Sequence, residues 1–394
     1  MVTSRRGSRW HLAALYAATF LSTVGDGSVQ LLLPPHLAST GLSPGTIGPV
    51  VAAYSVAALV SRVVAGAVYR ADRIALLVSG GCVASAIAFV LIARSSSVPV
   101  LVALSAMNGM GWAAASTGGL AAIMELRRGA NAGVVMGWYT GFIGAGYAAA
   151  GFLGGVLGDH LGTAGAITAL AVVPVVASVA LGGILRGVRH VEAGDYPRRP
   201  SLSAFARLQP YVWLAFFIAL HLNLLSGVLH TYFPLYGLAI GLSLTQIGVL
   251  TGTHSALGSA VRFVAAPLFR VVPYRRTLPW LVAIGGLSVA AMVLSSAYTA
   301  LLIAWGVLGL SRGVLRVASS ALVMDSSRED GRDRGAASGV YLAGLDVGKI
   351  VGPLAGGMAV EVMGLRSAFV LAGLGFPLVF FTFLSWLRRR ETSG

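Results

Sequence analysis

Residues 34–62 read PPHLASTGLSPGTIGPVVAAYSVAALVSR, and residues 234–262 read PLYGLAIGLSLTQIGVLTGTHSALGSAVR. Without a gap, these residues of the first stretch recur two hundred positions later: Pro34, Gly41, Leu42, Ser43, Ile47, Gly48, Ser55 and Arg62. The offset has slipped by only two residues at Tyr139 and Tyr341. A glycine-rich chain produces scattered matches by coincidence, whereas a register held this long indicates a duplicated half.

The composition is that of a membrane protein. Of the 394 residues, 56% are hydrophobic and 10% are charged, whereas soluble domains carry about 25% charged residues. The single cysteine, Cys82, excludes a disulfide framework and a thiol-rich metal site. The net charge of +15 comes largely from arginines in short loops between apolar runs, which is typical of membrane proteins rather than of nucleic-acid surfaces. We therefore expect a monomer in the lipid bilayer, with no cofactor, no metal and no nucleic-acid partner.

Apolar runs long enough to span a bilayer recur twelve times and define segments 1–12. They cover residues 11–37, 45–69, 74–93, 98–125, 130–158, 163–185, 210–237, 245–270, 277–298, 299–325, 334–360 and 367–387. Arginines fill the even-numbered loops and flank both ends of the chain, which predicts cytoplasmic termini. The long basic loop 187–209 divides the chain into an N-terminal half, residues 1–186, and a C-terminal half, residues 210–394.

Ionisable residues inside membrane segments are costly and therefore mark functional sites. Near mid-depth lie Asp26, His221, His254, Arg312, Asp346 and Lys349, with Arg316 one turn nearer the cytoplasm. Arg312 and Arg316 are four residues apart and share a helical face, so their charges repel each other unless an anion bridges them. Either a substrate carboxylate or phosphate is held by this pair, or the pair is neutralised internally by Asp346 or Asp26.

Lys349 is the only lysine of the chain and follows Asp346 by three residues, close enough for an intrahelical pair. Desolvating such a pair is unfavourable, so its position at mid-depth favours a role in binding. We predict a substrate site built from Arg312, Arg316, Lys349, Asp346, Asn108, Trp112, Gln30, Asn223, His230, His254, Tyr139 and Tyr341. The amide and aromatic members could orient a ligand, or each could serve packing and hydrogen bonding between helices.

Proton coupling needs a carboxylate whose two protonation states are close in energy, and two acids lie at mid-depth. Asp346 has Lys349 one turn away, and a neighbouring cation favours the charged form. Asp26 has no mid-depth cation in its own half, so burial favours its neutral form, and Gln30 on the same face can hydrogen-bond either form. We predict that Asp26 carries the proton, with Asp346 as the coupling partner that holds the basic cluster. In the alternative, Asp26 is bound permanently to an arginine of the other half as a gate.

Twelve segments, a six-plus-six repeat, a long central loop and cytoplasmic termini make the chain resemble the Major Facilitator Superfamily of secondary transporters. The resemblance implies an all-α membrane fold of two pseudo-symmetric six-helix halves, with segments 1, 2, 4, 5, 7, 8, 10 and 11 around a central cavity. The family signature between segments 2 and 3 is degenerate here, at Arg70, Asp72 and Arg73. The glycine-rich exporter signature with Gly-Pro appears in segment 11, as Gly352 and Pro353, and not in segment 5. The resemblance implies conformational roles for these five residues.

The resemblance also implies a secondary transporter of the cytoplasmic membrane that moves a small organic solute by alternating access. The basic pair indicates an anionic or amphipathic solute, and the buried acids indicate proton coupling. Export by antiport is favoured over proton-linked uptake of an organic anion, and a non-transporting sensor or scaffold is a further alternative. An enzyme is not expected, because the G-x-S-x-G match at 309–313 lies inside a spanning segment rather than at a strand-to-helix turn.

Overall fold

The computed structural model describes residues 5–68, 74–126, 132–185, 208–271, 273–326 and 334–392, which are helical apart from short turns. The first six helices are α1 (Arg5–Ser39), α2 (Pro44–Val68), α3 (Ile74–Ile92), α4 (Val98–Leu126), α5 (Ala132–Leu170) and α6 (Val172–Leu185). The next five are α7 (Pro210–Ala239), α8 (Leu244–Val271), α9 (Tyr274–Ala291), α10 (Tyr298–Ser326) and α11 (Arg334–Thr392). Long apolar runs form helices in lipid because a helix satisfies its backbone hydrogen bonds within one segment.

Two of these helices turn at a glycine. Gly162 in α5 has φ 68° and ψ 167°, and Gly364 in α11 has φ 80° and ψ 166°. Glycine reaches these backbone angles readily, whereas other residues do so at a steric cost. The two turns separate predicted segment 5 from segment 6 and segment 11 from segment 12, whereas α9 ends at Ala291, before the predicted end of segment 9 at residue 298. Six stretches of the described helices are long and apolar enough to cross a membrane, by length and composition.

The turn that follows α1 is repeated after α7, as a duplicated half requires. Gly41 and Gly241 have φ 88° and 87°. The amides of Leu42 and Leu242 each donate to the carbonyl five residues earlier, at 3.2 and 2.9 Å. This bond closes a Schellman turn, which depends on the positive φ of the glycine. The two stretches that revealed the repeat therefore have the same helix–turn–helix conformation.

The chain divides into two compact units: unit 1 is residues 1–196 with 237–252, and unit 2 is residues 197–236 with 253–394. Each unit buries an apolar cluster of its own. The cluster of unit 1 includes Leu15, Val78, Cys82, Ile123 and Tyr139, and that of unit 2 includes Ile218, Val282, Leu315, Leu322 and Phe380. Of the predicted linker 187–209, only residues 208 and 209 are described, and the division into halves at this linker stays a prediction.

The start of α8 lies in unit 1 because it packs closely on α5. Gly155 of α5 lies against the backbone of Leu244, and a side chain there would collide with it. The carboxylate of Asp159 accepts hydrogen bonds from the backbone amides of Leu244 at 2.9 Å and Thr245 at 2.8 Å. A carboxylate at this position accepts hydrogen bonds from two amides that the helix itself leaves unpaired. Its negative charge also interacts favourably with the positive end of the helix dipole.

Glycines of α11 make the equivalent close contact within unit 2. Gly348 and Gly352 lie against the backbone of α7, next to Leu220 and Leu224. Small faces let helices pack closely where the lipid supplies no hydrophobic driving force. The carbonyl of Pro353 accepts a hydrogen bond from the Tyr232 hydroxyl at 2.8 Å. Gly352 and Pro353, whose conformational role stays a prediction, thus lie at a tight contact between α7 and α11.

Candidate functional site

The Asp26 site, made of Asp26, Gln30, Tyr54, Asn108 and Tyr147, is a carboxylate that accepts hydrogen bonds from four side chains of unit 1. Asp26 is 3% exposed. Its oxygens accept hydrogen bonds from Gln30 Nε2 at 2.6 Å, the Tyr54 hydroxyl at 2.9 Å, Asn108 Nδ2 at 3.4 Å and the Tyr147 hydroxyl at 3.5 Å. These donors come from α1, α2, α4 and α5, so four helices converge on one side chain. Such hydrogen bonds replace the water that a buried carboxylate has lost.

Two glycines allow the helices of the Asp26 site to approach each other. A Cβ on Gly27 would meet the ring of Tyr147 and the side chain of Ala150, so the absence of one lets α5 approach α1. A Cβ on Gly109 would collide with the backbone carbonyl of Tyr54, so its absence lets α4 approach α2. Asp26 and Gln30 are one turn apart and therefore share a face of α1. The sequence thus builds the site from backbone proximity as well as from polar side chains.

Trp112 lies beside the Asp26 site of unit 1. The guanidinium carbon of Arg62 is 5.0 Å from the centroid of the Trp112 ring, within the range of a cation–π interaction. The rings of Trp112 and Tyr54 are 6.4 Å apart at a tilt of 44°. In unit 1, Arg62 thus contacts Trp112, and Trp112 neighbours Tyr54. Tyr54 in turn donates a hydrogen bond to Asp26.

The Arg312 site, made of Arg312, Asn223, Ser226 and His254, is a guanidinium surrounded by neutral acceptors in unit 2. Nη1 donates to the Ser226 hydroxyl at 2.8 Å and lies 3.3 Å from His254 Nε2, while Nη2 donates to Asn223 Oδ1 at 3.1 Å. Since arginine only donates, Nε2 of His254 must accept, and the proton of this imidazole is on Nδ1. Among the described residues, the hydrogen bonds of Arg312 thus go to neutral groups of its own unit.

Neighbouring residues hold the Arg312 site in place. Asn223 donates through Nδ2 to the carbonyl of Leu345 at 2.8 Å, which leaves Oδ1 for Arg312.

His230 Nδ1 is 2.8 Å from the Ser226 carbonyl, so this nitrogen carries the proton and donates. The rings of His230 and His254 lie edge-on to Trp305, at 6.1 and 5.4 Å between centroids. A pocket of unit 2 is lined by Arg312, Ser226 and His254 together with His221 and several leucines.

The other predicted basic and acidic residues of unit 2 surround this site less directly. Arg316 and Arg262 lie close enough to Arg312 for their charges to repel it. Lys349 acts electrostatically on His230, and both Lys349 and Asp346 are half-buried on α11. Three guanidiniums of one unit thus act on each other, and each adds to the positive potential there.

Two predicted tyrosines make hydrogen bonds inside the apolar clusters. The Tyr139 hydroxyl donates to the carbonyl of Ser116 at 2.9 Å, and the Tyr341 hydroxyl is 3.1 Å from Ser319 Oγ. Each bond joins two helices within one unit, which is the packing alternative for these residues. The predicted gating residues Arg70, Asp72 and Arg73 lie outside the described residues.

The G-x-S-x-G match of the sequence is part of the packing of unit 2. Ser311 is 5% exposed within α10, and its hydroxyl donates to the carbonyl of Leu281 at 2.6 Å. A nucleophilic serine needs an exposed hydroxyl with a base beside it. Ser311 has neither the turn nor the exposure of such a residue.

The prediction of site residues missed Tyr54, Tyr147 and Ser226 as contacts of the two charges. The repeat itself contained the missing signal. Tyr54 corresponds to His254 at an offset of 200 residues, and Ser226 corresponds to Asp26. Comparing the halves position by position therefore recovers contacts that the cost of burying charge does not reveal.

The chain is similar to membrane transporters along its whole length. A sequence profile of the Major Facilitator Superfamily matches residues 15–300 and 241–394. A mutant of the nucleoside transporter NupG has a TM-score of 0.79 at 14% identity, covering 95% of this chain and 99% of that chain. A bacterial homolog of the human lysosomal transporter Spinster, inward-facing and occupied, has a TM-score of 0.77 at 15% identity, covering 98% of both chains. A bacterial metal transporter has a TM-score of 0.66 at 17% identity, covering 95% of this chain and 98% of that chain. No curated protein matches the sequence.

Proposed function

The chain belongs to the Major Facilitator Superfamily, and we propose on this premise that it is a proton-coupled secondary transporter of small organic anions. It is a multi-pass membrane transporter of that fold. The solved neighbours are described as transporters of nucleosides and of metal, so the fold alone does not select a substrate. The substrate class must come from the side chains of this chain.

The observation that carries the anion proposal is the hydrogen bonding of Arg312. A guanidinium inside a membrane helix is costly, and neutral acceptors stabilise it without cancelling its charge. Arg316 and Arg262 add further positive charge nearby. A carboxylate or phosphate of a substrate would be attracted to this potential and could form charge-assisted hydrogen bonds with a guanidinium. Arg312 is therefore the proposed anchor of the anion, with Asn223, Ser226 and His254 as the groups that orient it.

Asp26 is the proposed proton carrier. Its described hydrogen-bond partners are two amides and two phenols. These hydrogen bonds stabilise the carboxylate, whereas burial of the side chain favours the protonated form, so the two forms are brought closer in energy. Asp346 remains the proposed partner of the basic residues. Proton movement through Asp26 would accompany alternating access of the two halves, with export in exchange for protons as the proposed direction.

The proposed location follows from the arginines of the loops. Positively charged loops stay on the cytoplasmic side of a membrane. We therefore propose a cytoplasmic-membrane protein with both termini in the cytoplasm and with halves at 1–186 and 210–394.

Transport in proteoliposomes tests the proposed substrate class. The purified chain would be reconstituted and given labelled aliphatic carboxylates, aromatic carboxylates, phosphate monoesters and a neutral nucleoside under an imposed pH gradient. We expect movement of an anion that responds to the gradient and to its reversal. Arg312→Ala should lower the rate of anion transport tenfold or more, and it should lower the transport rate of a neutral solute much less. Equal loss for anionic and neutral solutes in a folded variant would identify Arg312 as a structural residue.

A further inference from the structure

Two further arginines, Arg262 of α8 and Arg316 of α10, are neighbours in unit 2. The two helices pack closely just before them, since a Cβ on Gly313 of α10 would collide with the side chain of Val261 of α8. Arg262 is the residue after this contact on α8, and Arg316 follows it by three residues on α10. The charges of the two guanidiniums accordingly act on each other. The packing of α8 on α10 thus brings together two cations that repel.

Arg262 also has a buried donor without an acceptor. Its Nε is buried and has no hydrogen-bond partner among the described residues. Buried polar groups are nearly always paired, so an unpaired one needs an explanation. An arginine near a helix end can extend its charged group into water, but a buried Nε does not fit that explanation. The described groups that act electrostatically on Arg262 include Arg316 and Tyr341 but no carboxylate.

The corresponding arginine of unit 1 has a different environment. Arg62 corresponds to Arg262, and its guanidinium carbon is 5.0 Å from the centroid of the Trp112 ring. The residue of unit 2 that corresponds to Trp112 is Arg312, and a serine of unit 1 corresponds to Arg316. An aromatic ring attracts a guanidinium, whereas a second guanidinium repels it. Unit 2 therefore surrounds the same arginine with cations where unit 1 offers it an aromatic ring.

An anion beside Arg262 and Arg316 would account for these observations together. It would accept from the unpaired Nε and would reduce the repulsion between the two guanidiniums through charge-assisted hydrogen bonds. Arg316 follows Arg312 by four residues of α10, a rise of about 6 Å. Two acidic groups of one small molecule can therefore reach Arg312 and the neighbouring arginine pair at the same time.

We propose that Arg262 and Arg316 bind a second acidic group of the substrate, so that the transported anion is a dicarboxylate or a phosphorylated carboxylate. Its first acidic group is held at Arg312. Its second lies nearer the predicted cytoplasmic ends of α8 and α10. This inference rests on the proposed function as an organic-anion transporter, and it names the substrate class of the same site.

Binding of diacids and their half esters to the full-length protein in detergent tests the inference. Malonate, succinate, glutarate and adipate differ in the distance between their carboxylates, and each monomethyl ester keeps the chain but loses one charge. A ligand that binds the folded protein raises its melting temperature, and the rise over a range of concentrations gives Kd. We expect one diacid at neutral pH to bind roughly tenfold more tightly than its half ester, because hydrogen bonds between charged groups are the strong ones.

Substitutions then locate the second acidic group. Arg262→Gln should weaken binding of the preferred diacid to the level of its half ester, and it should leave binding of the half ester nearly unchanged. Arg316→Gln should act in the same way, which provides a second reading if one variant folds poorly. Arg62→Gln is the matched control, because it makes the same change at the corresponding position of unit 1. This control should keep the preference for the diacid.

The outcomes separate this inference from the function on which it rests. If no diacid of the series binds more tightly than its half ester, the substrate does not use a second anchor. If the preference survives both Arg262→Gln and Arg316→Gln in folded protein, the second acidic group is not held by this pair. If Arg312→Ala leaves the binding of diacid and half ester unaltered, the proposed anchor at Arg312 is wrong, and the proposed function fails with it.

Discussion

The Asp26 site of unit 1 and the Arg312 site of unit 2 use corresponding positions of the repeat and hold opposite charges. Asp26 corresponds to Ser226, and Tyr54 corresponds to His254. In unit 1 the first position carries the charge, and the second donates to it at 2.9 Å. In unit 2 the same two positions accept from Arg312, at 2.8 and 3.3 Å. One duplicated scaffold thus stabilises an anion with donors in one half and a cation with acceptors in the other.

The backbone contacts beneath the two sites have hardly changed. Gly109 of α4 lies against the carbonyl of Tyr54, and Gly309 of α10 lies against the carbonyl of His254. The helices that carry corresponding side chains therefore approach each other in the same way in each unit. The comparison teaches that the duplicated backbone determines where polar groups meet, while a few side-chain substitutions determine which charge they hold.

The largest expected effect comes from breaking the shared backbone contact. Gly109→Ala and Gly309→Ala each place a Cβ against a backbone carbonyl that cannot move aside cheaply. Each should lower the free energy of unfolding by about 1–3 kcal/mol through overpacking, measured as a lower melting temperature in detergent. Gly137→Ala is the matched control, since a Cβ there meets nothing within 4 Å. Equal stability of all three variants would show that close helix approach is not what the two sites share.

We expect an intermediate effect when the positive charge at position 312 is kept but the shape of the side chain is changed. Arg312→Lys retains one positive charge and loses the planar fork that reaches Asn223, Ser226 and His254 together. We expect apparent affinity for a transported anion to fall about tenfold, as fewer groups are held in register. Initial rates of uptake over a range of anion concentrations measure this change. Unaltered affinity would mean that charge alone, and not the arrangement around Arg312, attracts the substrate.

The smallest effect concerns the tyrosines at matching positions in the two halves. Tyr139→Phe and Tyr341→Phe each remove one hydrogen bond within a unit. Each should cost about 1 kcal/mol of stability and leave transport rates within about twofold of the unaltered protein. Calorimetric melting and uptake assays on the same preparations provide the two readings. A large loss of transport at unchanged stability would return these tyrosines to the predicted substrate site.

Much of the fold was predictable because lipid imposes simple rules. Apolar runs must be helical to pair their backbone groups, and the repeat predicts equivalent turns at Gly41 and Gly241. Sequence patterns do not predict how sharp the turns after segments 5 and 11 are. The residues after segments 5 and 11 were expected to form short loops, whereas one residue, Gly162 or Gly364, makes each turn.

The site was predictable only in part, for a related reason. Asp26 and Arg312 stand out because charge is costly in lipid, and Gln30 stands out because it lies one turn from Asp26. Tyr147 carries no such mark, since tyrosine is common in membrane helices. Asn108 was assigned to the substrate, but the structure brings it to Asp26. Helical periodicity predicts which residues share a face of one helix, and it does not predict which faces of different helices meet.

Accumulation driven by a pH gradient in proteoliposomes containing Asp26→Asn tests the central claim most directly. Asparagine mimics the protonated carboxyl and cannot release a proton. The account predicts that this variant still exchanges an internal for an external labelled anion, yet no longer accumulates the anion when a pH gradient is imposed. Asp346→Asn, measured beside it, should still respond to the gradient, because Asp346 is proposed to hold basic residues. If Asp26→Asn continues to accumulate the anion against its gradient, Asp26 does not carry the coupled proton.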